Sequence, residues 1–76
     1  MELYKNLGRD SGVHSFKIGD NFIKVKFKTN NKIYVYTHFK PGQHHVEAMK
    51  QLAIAGHGLQ TYINKHRSAG YDSLEY

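Results

Sequence analysis

The chain reads as a single α+β domain, a three-stranded antiparallel β-meander followed by two α-helices packed on one face of the sheet. Three observations predict it. Apolar and polar residues alternate in short runs before the single proline, Pro41; apolar residues recur at helical spacing after it; and 76 residues leave room for one core only.

The strands come first. Ser15-Phe16-Lys17-Ile18, Ile23-Lys24-Val25-Lys26-Phe27-Lys28 and Ile33-Tyr34-Val35-Tyr36 each alternate with the two-residue period of a half-buried strand. Gly19-Asp20-Asn21 and Asn30-Asn31 supply residues that tolerate the conformations of tight hairpin turns. With Asp20-Asn21 as the first turn, Ile18 lies opposite Ile23 and Phe16 opposite Val25. With Asn30-Asn31 as the second, Phe27 lies opposite Tyr34 and Val25 opposite Tyr36. Both registers collect one face of His14, Phe16, Ile18, Ile23, Val25, Phe27, Tyr34 and Tyr36, with His38 at its end; that face is the predicted core side.

The helices supply its cover. Val46, Met49, Leu52, Ala53 and Gly56 mark one helical stripe, and Leu59, Tyr62, Ile63 and His66 a shorter one running to about Arg67. Proline suits a first helical turn, so Pro41 is placed there. Gly56 and Gly58 around His57 mark the break between the helices. The tail from Ser68 reads as loosely held, and residues 1–10 carry no readable pattern.

Composition narrows the function classes. With no cysteine, disulfides, thiolate nucleophiles and Cys-containing zinc sites are excluded. No apolar run approaches the roughly 18 residues needed to span a bilayer, and the N-terminus lacks a signal-peptide pattern, so a cytoplasmic protein without a membrane partner is expected. Eleven Lys and Arg against six Asp and Glu give +5, which favours an anionic partner without identifying one.

Placement of the lysines sharpens that expectation. The first hairpin sets Lys17 opposite Lys24, with Lys26 and Lys28 following on the same face, away from the core. Opposed like charges cost a sheet about 0.2–1 kcal/mol unless a partner neutralises them. Side chains two residues apart on a strand are roughly 6–7 Å apart, comparable with successive phosphates of an extended nucleic-acid backbone. Lysines on an open sheet face also discourage unwanted strand pairing, which needs no ligand. Aromatic residues do not interleave with them as in a stacking platform: Tyr34 and Tyr36 fall on the core side, leaving Phe22 and Phe39 nearer the lysines. Lys65 and Arg67 form a second basic patch.

Chemistry beyond binding finds little support. His44-His45 falls in a predicted first helical turn, where free N–H groups attract anions. His44 and Glu47 share a helix face, but two ligands do not make a metal site, and no metal-binding spacing occurs. No nucleophile elbow, phosphate loop or paired carboxylates are present. His44, His57, His66 and Arg67 are the residue types with which small ribonucleases act, and they are the only opening toward catalysis.

Tyr34-Val35-Tyr36, following the alternating strand from Ile23, resembles the Tyr-x-Tyr motif of the KTSC domain, a family found at the C-terminus of some lysyl-tRNA synthetases and as free-standing bacterial and phage proteins. The similarity extends over 11–71, through Ser15-Phe16-Lys17-Ile18, Gly58-Leu59-Gln60-Thr61-Tyr62-Ile63-Asn64 and Tyr71. Asn30-Asn31-Lys32 replaces the family's shorter glycine-containing turn, and Pro41 to His45 departs from its Val-Pro helix opening. The resemblance implies an RNA-related module and names no catalytic residues. The sequence therefore predicts a small noncatalytic binding module without metal or cofactor, its favoured partner RNA, contacted by Lys17, Lys24, Lys26, Lys28, Lys65 and Arg67. The alternative is a protein-interaction or dimerisation module in which Val13, Phe22, Ile33 and Val35 expose apolar area among the same lysines.

Overall fold

The computed structural model describes residues 1–7, 12–29 and 32–75. Five strands form one antiparallel sheet in chain order: β1 (Glu2–Leu3), β2 (Val13–Ile18), β3 (Phe22–Phe27), β4 (Ile33–Thr37) and β5 (Ser73–Glu75). Helices α1 (Gln43–Ala55) and α2 (Leu59–Lys65) lie between β4 and β5, and a single 3-10 turn, Arg67–Ala69, follows α2. The α+β class and the two helices match the sequence-based expectation; the sheet has five strands where three were expected. The two additional strands are pairings of two and three residues at the sheet edges, too short to show an alternation of their own. The tail expected to be loosely held instead pairs with β4, Tyr34 opposite Leu74 and Val35 opposite Ser73.

The first hairpin has the expected register: Phe16 faces Val25, Lys17 faces Lys24 and Ile18 faces Ile23. Toward the start of β2 the register slips between Val13 and Ser15, so that Val13 faces Phe27. This bulge corrects the predicted core list. The extra residue, His14, is exposed, while Val13 rotates onto the core side and is buried. Asn30-Asn31 lies outside the described residues. The strands it joins are offset by two residues from the predicted pairing, with Val25 opposite Tyr34 and Ile23 opposite Tyr36. An even offset preserves which side each residue faces, so Tyr34 and Tyr36 remain on the core side.

Ile23, Val25, Phe16, Val13 and Tyr36 from the sheet pack with Val46, Met49 and Ala53 of α1 and Leu59 of α2. Tyr4 extends this core from the N-terminus. Its N–H donates to the His14 carbonyl at 3.0 Å, and its hydroxyl accepts from the Leu59 N–H at 3.3 Å. Pro41 does not enter the first helical turn as expected. It follows a cis peptide bond and bridges to Thr37, and Gly42 caps α1 instead. Gly56 ends α1 as predicted, with φ +81° and its N–H on the Leu52 carbonyl. A Cβ there would also lie 2.7 Å from that of Lys5.

A charged network fastens α1 to the strand ends. Lys50 is buried, its Nζ 2.8 Å from Glu47 Oε2 and donating to the Asp20 carbonyl at 3.1 Å. The same Glu47 oxygen is 2.8 Å from His38 Nε2. Hydrogen bonding to Lys50, then to His38, holds the Glu47 carboxyl below the ordinary value of 4.5.

Gly56→Ala is expected to destabilise the chain by at least about 1–2 kcal/mol through its left-handed backbone, read as a lowered urea midpoint. Because Glu47 binds its proton less readily when folded, its contribution is present above 4.5 and is lost as pH falls through the lower folded value. Glu47→Gln should reduce stability at neutral pH and make the acid decline shallower; an unchanged decline would remove Glu47 as its source.

Candidate functional site

Two surfaces carry the polar chemistry, one on each side of the sheet. On the side away from the helices, Lys17 stands opposite Lys24, and Lys26 follows two residues along β3. Lys24 is not free. Its Nζ donates to both carboxylate oxygens of Glu75, at 3.0 and 3.1 Å, across β4, and lies 5.6 Å from the centre of the Phe22 ring. Lys17 and Lys26 have no ion-pair partner among the described residues. Lys28 is exposed just beyond the end of β3. The aliphatic area expected among these lysines is reduced, because Val13 lies in the core and Val35, between Lys24 and Ser73, is buried. Phe39 is almost fully exposed at the tip of the turn after β4, a turn held by the Thr37 hydroxyl, which accepts from the N–H groups of Phe39 and Lys40.

Lys65 and Arg67 do not join that face. They lie at the end of α2 and in the 3-10 turn, and Arg67 borders a cleft on the helix side of the sheet. This cleft has a volume of about 450 Å³. One wall is aromatic: Phe27 meets Tyr34 edge to face at 5.3 Å, Tyr34 meets Tyr71 at 4.9 Å, and Tyr71 approaches Tyr36 at 6.4 Å. The other is built from Gln60, Ile63 and Asn64 of α2, followed by His66 and Arg67. Gln60 fixes this wall to the sheet, its Oε1 accepting from the Gly12 N–H and its Nε2 donating to Asn64 Oδ1. Arg67 Nη2 donates to the same Asn64 oxygen at 3.3 Å. Burial, with smaller contributions from neighbouring Tyr34 and Tyr71, raises the Tyr36 phenol well above its usual range and keeps it neutral.

The histidines split into separate environments. His45 Nδ1 is hydrogen-bonded to the Tyr62 hydroxyl at 2.9 Å, and the His66 ring lies 4.3 Å from Tyr62 and 5.0 Å from His45. Burial raises the Tyr62 phenol. Glu47, considered with His44 as a metal pair, is committed to His38 and Lys50 instead. His57 is exposed in the loop between the helices. Among the described residues, no three metal-ligating side chains are grouped to hold a cation, and no helix is long and apolar enough to cross a membrane.

No family model, curated protein or solved structure matches the chain. The cleft therefore rests on its own geometry. Its lining comes from β3, β4, both helices and the segment before β5, so no contiguous motif announces it. Tyr34, Tyr36, Ile63, Asn64 and Tyr71, quoted above for a resemblance and not for any shared chemistry, line one cavity.

Tyr36 is the cleft residue whose ionisation opposes folding most directly. Above the ordinary tyrosine value of 10 the unfolded chain loses that proton while the folded chain keeps it, so stability falls as pH rises toward the folded value. Urea midpoints measured across the alkaline range should decline less steeply for Tyr36→Phe than for the native chain.

Proposed function

We propose that this chain is a small noncatalytic binding module that holds RNA by its phosphate backbone, using the sheet face turned away from the helices. The observation that carries the reading is the direct opposition of Lys17 and Lys24 with Lys26 beside them, Glu75 being paired with Lys24. An anion added to this face would offset the like-charge opposition that remains. Spaced phosphates fit that need better than a single carboxylate.

The resemblance to the KTSC domain supports the same partner class. Backbone contact of this kind is sequence-tolerant and strongly salt-dependent. The protein-interaction alternative loses ground because two of its four apolar contributors, Val13 and Val35, are buried within the chain. Lys65 and Arg67, on the other side of the sheet, are outside this contact.

Fluorescence anisotropy with a labelled single-stranded RNA should show binding that weakens with salt, and the double variant Lys17→Gln, Lys26→Gln should reduce the log–log slope by about 1.4, at roughly 0.7 per phosphate contact. Absence of binding at low salt, or an unchanged slope in the double variant, would sink the reading.

A further inference from the structure

We infer that the cleft between β4 and α2 is a nucleotide site, with a planar base against the tyrosine wall and the phosphate on Arg67. It lies on the opposite side of the sheet from the lysines and does not depend on them.

The volume, about 450 Å³, falls within the roughly 300–1,000 Å³ of small-ligand sites. The chemistry of the lining narrows the ligand in three steps. First, Phe27, Tyr34, Tyr36 and Tyr71 form a connected aromatic wall rather than an isolated ring, and Met49 and Ile63 add apolar surface, which suits a flat, unsaturated body. Tyr34 is only half-buried and Tyr71 is 38 % exposed, so part of that wall is accessible.

Second, the Asn64 amide has donors to spare. Asn64 spends its Oδ1 on Gln60 and Arg67, which directs the amide so that its Nδ2 donors have no partner among the described residues. A ring nitrogen or carbonyl on a base edge is the matching acceptor. Third, among the described residues no carboxylate lines the cleft, whereas Arg67 does and has no acidic partner there. Arg67 uses Nη2 for Asn64, and its remaining N–H donors suit a phosphate. A cationic or purely apolar ligand would leave that guanidinium unanswered. A nucleotide joins an aromatic plane, edge acceptors and an anion in one molecule.

The nucleotide can be free or one unit of a single strand, and the test separates the two. Amide shifts of the full chain are followed by NMR during titration with AMP, adenosine, inorganic phosphate and a single-stranded oligoadenylate. AMP is expected to move the amides of Tyr34, Tyr36, Asn64, Arg67 and Tyr71, and to bind about tenfold more tightly than adenosine or phosphate. Arg67→Gln should weaken AMP by about the same factor and adenosine much less, since Gln60 still holds Asn64, whereas Tyr71→Ala should weaken both. Each variant is first required to keep the native amide spectrum outside the cleft. Cleft shifts from the oligonucleotide without AMP binding would assign the site to a unit within a strand. If neither probe moves the cleft amides, or if Arg67→Gln leaves AMP binding unchanged, the inference is overturned. Oligonucleotide shifts confined to Lys17, Lys24 and Lys26, together with no cleft shift from AMP, would overturn it while leaving the phosphate-binding face intact, and cleft shifts with none at those lysines would do the reverse.

Discussion

Ile23 and Val25, on the central strand and wholly excluded from solvent, are the residues against which the rest of the molecule is set. Their burial beneath α1 fixes the orientation of β3, and strict alternation then sends Lys24 and Lys26 to the opposite side. Neighbouring strands must agree. Phe16 and Tyr34 face Val25, and Ile18 and Tyr36 face Ile23, so the aromatic side chains gather where the helices pack. Turning β3 over would bury two ammonium groups and expose its two best-packed aliphatic residues, which makes this orientation the one the chain can adopt.

That same alternation explains which features were legible in the sequence. The first hairpin, both helices and the glycine at the end of α1 each announce themselves through a local pattern. The two-residue offset between β3 and β4 does not, because hydrophobic pairing distinguishes odd from even shifts and is blind to even ones. The bulge at His14 is equally silent: alternation places Val13 with the lysines, and only the tertiary structure moves it inside. Strands of two and three residues have no period to read. The cleft was hidden for a related reason, since Tyr71 comes from a stretch with no periodicity of its own and reaches Tyr34 only through the fold.

Formal charge overstates what the molecule offers to a partner. Lys50 is consumed in holding α1 to the β2–β3 turn, and Lys24 is matched by Glu75. Among the described residues, the cations of the two surfaces differ: Lys17 and Lys26 stand over the sheet, and Arg67 lies beside aromatic rings. Lysine acts there as a compact, strongly hydrated point charge, while arginine next to tyrosines can orient a planar ligand. The two surfaces thus differ in kind as well as position, one suited to weak contact along a chain and the other to a discrete group.

Every strand of the sheet pairs only with its neighbour in sequence, so most of its hydrogen bonds form by short loop closures of small entropic cost. The bond between Tyr4 and Leu59 is different, joining residues 55 apart. Closing a loop of that length costs more chain entropy than closing a hairpin turn, so this bond and the burial of Tyr4 in the core tether the first residues of the chain to a helix far along it.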